Sequence, residues 1–198
     1  MHNIDGLIFD CDGTLTHSMP LHYEAWSLTA ARYGLTFTEE RFYALAGVPS
    51  QHIITLLANE QGKPVADAMG MAKEKEQAFY ELLHRLESIP PVLQIAETYR
   101  GKKKMAVASG GWNAVVRRQL TMIGCLDWFD AIVTAEDTEK HKPEPDVFLE
   151  AARRLNVPAA RCIVYEDSEL GFEAARKAGM QWVDVRPMHK AFLAENAK

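Results

Sequence analysis

The stretch Leu7-Ile8-Phe9-Asp10-Cys11-Asp12-Gly13-Thr14-Leu15 constrains the fold more than any other. An apolar run ends abruptly in two carboxylates one residue apart, followed by a glycine. The run predicts a buried strand, and Gly13-Thr14 the turn that leaves it. Asp10 then stands at the carboxyl end of the strand and Asp12 on the loop above it. In open α/β sheets that edge is where ligands bind. Two carboxylates about 4 Å apart repel by about 4 kcal/mol at an effective dielectric near 20. A fold that keeps both needs a cation, a shared proton or water between them. Alone, the pattern would also describe a solvated turn after a core strand.

The rest of the chain decides between these. Helical patterns are expected over residues 21–33, closed by Gly34; 39–46, with Thr38 as N-cap; 50–60, with Ser50 as a candidate cap; and 65–86, after the Gly62-Lys63-Pro64 break. The Lys73-Glu74-Lys75-Glu76 run is read as a solvated face. Residues 16–86 thus form an all-helical block inserted after the first strand. Beyond Pro90-Pro91 the texture changes. Strands are expected at 104–108, 131–134, 162–165 and 181–185, with helices ending at Tyr99 and covering 113–123, 146–155 and 171–178. Residues 188–198 are read as a short helix or a frayed end. Strands alternating with helices predict βαβ units and a parallel sheet, an α/β fold.

Length and composition fit a soluble globular protein of one ordinary domain, or of a core plus a small insertion. The chain has 198 residues, 47% of them hydrophobic and 25% charged, and a formal net charge of -5. That balance argues against a general nucleic-acid surface but permits an anionic small ligand, since local cations can outweigh global charge. Cys11, Cys125 and Cys162 form no CxxC pair, so neither a zinc site nor a disulfide framework is expected. Buried thiols in a reducing cytoplasm are expected instead. The N-terminus lacks the features of a signal peptide, and no apolar run is long enough to span a bilayer.

Three apolar strands stop at polar groups: Asp10, Ser109 and the pair Glu166-Asp167. Right-handed crossovers bring those ends to one edge of the sheet. The loop His141-Lys142-Pro143 adds an ammonium. Carboxylates without His or Cys partners suit Mg²⁺ better than Zn²⁺. The amides of Gly110 and Gly111 at a helix start suit a phosphate. The set predicts Mg²⁺-assisted phosphoryl transfer. Asp10 is the expected nucleophile and Asp12 the expected acid and base. Mg²⁺ is expected to bridge Asp10 and the phosphate. Lys142 would stabilise charge on Asp10 and the phosphoryl group, and Ser109 would donate to a phosphate oxygen.

These residues resemble the motifs of the haloacid dehalogenase-like hydrolase superfamily. Phe9-Asp10-Cys11-Asp12-Gly13-Thr14 matches the first, Ser109 the second, Lys142-Pro143 the third, and Glu166-Asp167 with Gly171 the fourth. The resemblance implies a Rossmann-like core of residues 1–15 and 87–198 and a helical cap of residues 16–86. It also implies Mg²⁺ held by Asp10, the Asp12 carbonyl and Asp167, with Glu166 directly or through water. Within the superfamily the chain is similar to the β-phosphoglucomutase-like branch, especially its small fructose-1-phosphate phosphatases. His22 and Trp26 match that branch's cap helix, where the histidine helps position Asp12 and the sugar. Asn113 matches a substrate-contacting asparagine. Ser50, in Gly47-Val48-Pro49-Ser50, stands where mutases carry an arginine for a second phosphate, and His17 where the branch usually has aspartate. The resemblance implies a phosphatase for a small phosphorylated metabolite; cysteine usage, charge and the lack of an apolar seam or spanning run add the expectation of a cytoplasmic monomer with no nucleic-acid or membrane partner. A β-phosphoglucomutase is the alternative, and a receiver-like, non-catalytic phosphate-responsive module a third reading.

Overall fold

Five apolar runs become strands in the computed structural model, which describes residues 4–196. They are β1 (Gly6–Phe9), β2 (Lys104–Ala108), β3 (Ala131–Val133), β4 (Cys162–Glu166) and β5 (Gln181–Asp184). All pair in parallel in the order β3-β2-β1-β4-β5. Central β1 is buried along its whole length, as expected of a strand covered on both faces. Phe9 lies level with Val107 and Tyr165, so the polar residues that follow β1, β2 and β4 emerge side by side.

The two faces of the sheet separate by the strand period of two. On one, Leu7, Phe9, Met105 and Val107 pack on α5 (Pro90–Tyr99), α6 (Asn113–Met122) and α9 (Arg186–Asn196). On the other, Ile8, Ala106 and Val164 pack on α7 (Asp146–Leu155) and α8 (Glu169–Lys177). Cys11, Cys125 and Cys162 are buried free thiols. No described helix is long and apolar enough to cross a membrane.

Between β1 and α5 lie α1 (Met19–Arg32), α2 (Glu39–Ala44), α3 (Ser50–Glu60) and α4 (Ala68–Leu82). They enclose a separate core that includes Trp26, Phe37, Phe42, Ile54, Leu57 and Met71. The two connections to the sheet run side by side: His17 N–H donates to the Glu87 carbonyl at 2.8 Å and Ile89 N–H to the Leu15 carbonyl at 2.9 Å. A smaller cluster, Leu21, Ala25, Phe79 and Leu83 with Val115 of α6, seals the helical block against the sheet layer.

Several expectations change at the element ends. Thr38 caps α2 as expected, accepting from Arg41 N–H. Ser50 does not cap α3: Pro49 takes the cap position in extended conformation, and the Ser50 hydroxyl turns to Glu76. The fourth helix begins at Ala68 rather than residue 65, because Asp67 accepts from Gly70 N–H and caps it there. It ends in a 3-10 turn over Leu83–Arg85. The charged run at 73–76 splits: Lys73 and Glu74 are exposed, but Lys75 and Glu76 are 3% and 7% exposed. They continue the helical face of Met71, Ala72 and Phe79, so proximity in sequence concealed a difference in facing. The C-terminal segment is helical to Asn196; residues 1–3 and 197–198 lie outside the described residues, along with the sequence expectations that fall on them.

Candidate active site

Asp10 leaves the end of β1 and is 5% exposed. Lys142, from the loop before α7, reaches it with Nζ 2.7 Å from Asp10 Oδ1 and 2.6 Å from Glu166 Oε1. The second Glu166 oxygen accepts the amide hydrogens of Asp167 and Ser168. Both Glu166 oxygens are therefore occupied within the protein, which suits it to bracing the site. Asp167 Oδ1 accepts a 3.3 Å bond from the Thr14 hydroxyl. Oxygens of Asp10, Glu166 and Asp167 lie within 4.8 Å of one another. The cluster needs two glycines. Gly13 has φ +81°, and a Cβ there would sit 2.2 Å from Asp167 Oδ2. A Cβ at Gly171 would sit 1.8 Å from Glu166 Oε1.

Three carboxylates share the site with one buried ammonium, which bonds two of them. Burial, then Glu166 and Asp12, push Asp10 up to about 7 despite Lys142 beside it. Burial and the neighbouring Glu166 and Asp10 hold Asp167 well above the ordinary carboxylate range. Burial works against the Lys142 charge, but Asp10 and Glu166 outweigh it and raise that group above its usual value. The surplus negative charge and the all-oxygen donor set fit a hard divalent cation.

Asp12 is held differently. Its Oδ1 accepts from Ser18 Oγ at 2.6 Å, His22 Nε2 at 2.9 Å and Gln119 Nε2 at 2.9 Å. Lys75 Nζ lies 2.8 Å from His22 Nδ1. An ammonium only donates, so Nδ1 is the acceptor and Nε2 carries the hydrogen given to Asp12. Phe79 stacks on the His22 ring at 3.7 Å between centroids. Burial pushes Asp12 up, but the His22 ring, then Ser18 and Gln119, hold it well below the usual carboxylate range. Asp12 Oδ2 receives none of these bonds and lies on the side of Gly111.

Ser109 follows β2 and is 1% exposed. Its Oγ accepts from Gly111 N–H at 3.0 Å, which bends the loop towards the same cavity. Gly110 has no room for a side chain: a Cβ would lie 2.3 Å from the Gly47 carbonyl oxygen of the helical block. His22, Trp26, Ser50, Lys75 and Glu76 line the cavity from the block, facing Asp10, Asp12, Ser109, Gly110, Glu166 and Asp167.

Asn113 is not among the residues that line this cavity. Its amide bonds the Glu136 carboxylate and its Oδ1 accepts from Arg117 Nε, both away from the cavity wall. It does not cap α6 either, since Trp112 holds that position. His17 packs edge-on against His189 of α9, with centroids 4.6 Å apart. Sequence reasoning missed Ser18, Gln119, Lys75 and Glu76. Gln119 left a signal, a polar residue at a buried helical position beside Val115, Val116 and Leu120. Lys75 and Glu76 left one too, at i+4 from Met71 and Ala72.

A family model described as haloacid dehalogenase-like hydrolase matches residues 7–185. Fructose-1-phosphate phosphatase YqaB of Escherichia coli is 37% identical over 183 residues, covering 91% of this chain and 96% of that protein. The phosphorylated carbohydrates phosphatase of Thermotoga maritima is 30% identical over 183 residues, covering 90% and 83%. Among solved structures, a β-phosphoglucomutase from Clostridium difficile superposes with a TM-score of 0.82 at 22% identity, over 96% of this chain and 99% of that one. At that identity the likeness is one of fold.

Proposed function

The chain belongs to the haloacid dehalogenase-like hydrolase family, and from that premise we propose that it is a Mg²⁺-dependent phosphatase of a small sugar phosphate such as fructose 1-phosphate. The observation that carries this is the unequal treatment of two neighbouring carboxylates. Asp10 faces the acidic cluster and is pushed up to about 7. Asp12 is pinned through Oδ1 by three donors, with Oδ2 left over. Asp10, beside the Lys142 ammonium at the strand end, is placed to attack as a carboxylate, and the unbonded Oδ2 of Asp12 is placed to exchange a proton. The named activities of the two curated relatives support the substrate class.

Asp10, Asp167 and the Asp12 carbonyl would hold the ion, with Glu166 bracing them; when bound, it neutralises charge on the phosphate and on Asp10. The Ser109 hydroxyl and the Gly110 amide receive phosphate oxygens, while the Gly111 amide, bonded to Ser109 Oγ, holds that hydroxyl in place. Lys142 holds Asp10 in line and offsets its charge. Asp10 attacks phosphorus, forming an aspartyl-phosphate as the ester bond breaks. Asp12 gives a proton to the sugar oxygen, then takes one from the water that hydrolyses the intermediate. The form of Asp12 in this structure is the base; negative charge arriving beside Oδ2 with the phosphate favours its protonation. Residues 16–86 act as a cap over a core of residues 1–15 and 87–198. The protein works as a monomer in the cytoplasm, where its free thiols stay reduced.

The test is phosphate release from fructose 1-phosphate, with Mg²⁺ and with chelator. Activity is expected only with Mg²⁺, and Asp10→Asn should lower it at least about a thousandfold. Undiminished turnover in that variant would refute the mechanism. Conversion of β-glucose 1-phosphate to glucose 6-phosphate faster than hydrolysis would favour the mutase alternative, and stoichiometric phosphorylation without turnover the receiver-like one.

A further inference from the structure

The cap side of the cavity carries a charge that the reaction does not use. We infer that Glu76 selects sugar monophosphates whose end remote from the phosphate is uncharged and bears hydroxyls, and turns away substrates with a second anionic group there. This deepens the sugar-phosphate reading above and rests on it.

Glu76 is 7% exposed and lines the cavity. It stands one imidazole and one ammonium away from Asp12, through His22 and Lys75. Lys75 is the cation that the cap gives to the cavity wall among the described residues, and it is already engaged. Its Nζ contacts His22 Nδ1 at 2.8 Å and Glu76 Oε1 at 3.1 Å, and lies 5.5 Å from the centroids of both Trp26 and Phe79. The other cation of the site, Lys142, is 3% exposed and bonded to Asp10 and Glu166. A second phosphate or a carboxylate reaching the cap would therefore find, among the described residues that line the cavity, no ammonium free of an acidic partner.

It would instead find a carboxylate. Burial opposes the Glu76 charge, but the Lys75 ammonium and the Ser50 hydroxyl keep that group below its ordinary range. Both protein bonds to its side chain fall on Oε1: Ser50 Oγ at 2.8 Å and Lys75 Nζ at 3.1 Å. Oε2 remains to accept from a ligand. Ser50 Oγ has given its hydrogen to Glu76 and keeps lone pairs for a second donor. A wall of acceptors suits sugar hydroxyls, which donate, and opposes an anion, which cannot. Repulsion between anions discriminates more strongly than a missing contact.

The experiment compares kcat/KM for fructose 1-phosphate with that for loss of the C1 phosphate from fructose 1,6-bisphosphate. In the unaltered protein the monophosphate should be preferred at least about a hundredfold. Glu76→Gln should lower that preference at least about tenfold, whereas Glu76→Asp, which keeps the charge, should retain it. Taking the ratio cancels any loss common to both substrates through Lys75 and His22. Comparable use of both compounds by the unaltered protein would overturn the proposal without any variant, as would an unchanged ratio in a folded Glu76→Gln. Hydrolysis of neither compound by the unaltered protein is a different result: it removes the sugar-phosphate reading, and this inference with it.

Discussion

Glu166 spends both carboxylate oxygens inside the protein, on Lys142 and on the amides of Asp167 and Ser168. Its place is guaranteed by an absence, since Gly171 leaves the space that the carboxylate fills. Gly171 needs no unusual backbone, so a substitution there acts through collision alone. In Gly171→Ala the Glu166 carboxylate must move, Lys142 loses a partner, and Asp10 and Asp167 lose their brace. We expect the Mg²⁺ concentration for half-maximal phosphate release to rise about 10- to 100-fold, the size of effect seen when a group supporting metal ligands is removed. Stability should fall by about 1–3 kcal/mol for the overpacked site. A metal titration and a denaturant melt read the two effects separately, and an unchanged metal requirement would count against the bracing role.

At the scale of elements, the site is a meeting of loops from two layers. Gly110, after β2, touches the Gly47 carbonyl of the loop before α3. That contact sets how closely the wall holding Ser50, Lys75 and Glu76 approaches the edge holding Asp10 and Ser109. A methyl group at Gly110 would meet backbone, which cannot swing aside as a flexible side chain can. Gly110→Ala should therefore lower kcat/KM at least about tenfold by parting the loops, since displacements near 1 Å are costly when reacting groups must align. The melting temperature should change little, because the cores of α1–α4 and of the sheet do not include Gly110. Full activity in that variant would mean that the two loops are free to separate during turnover.

Across the whole molecule, the acidic cluster ties stability to pH and, on the proposed Mg²⁺ reading, to metal. Asp10 at about 7, and Asp167 well above its ordinary value, keep protons that the unfolded chain releases near pH 4. A raised folded-state pKa adds stability that is full below the unfolded value and is lost as pH climbs through the folded one. Asp12 has the opposite sign: its folded value is depressed, so its contribution is complete above the ordinary carboxylate range. Between about pH 5 and pH 8 the metal-free site therefore becomes a growing liability, which a bound cation relieves. Added Mg²⁺ should raise the melting temperature more near pH 8 than near pH 5, as thermal unfolding with and without chelator would show. An equal shift at both would point to an ion bound elsewhere. The same molecule marks out what was legible in the chain by itself. Strand and helix order, the parallel sheet, and the convergence of Asp10, Ser109, Lys142 and Glu166-Asp167 follow from local periodicity and from the handedness of crossovers, which act along a single chain. What lines the other side of the cavity does not follow. Lys75 and Glu76 read as solvated charges until α4 packs on α1, and Gln119 becomes a partner of Asp12 when α6 comes alongside the loop after β1. Asn113 matched a motif yet lies off the cavity wall. Only the tertiary structure decided these positions, because burial and pairing of a polar side chain depend on the surface that arrives against it, and that surface comes from a distant part of the chain.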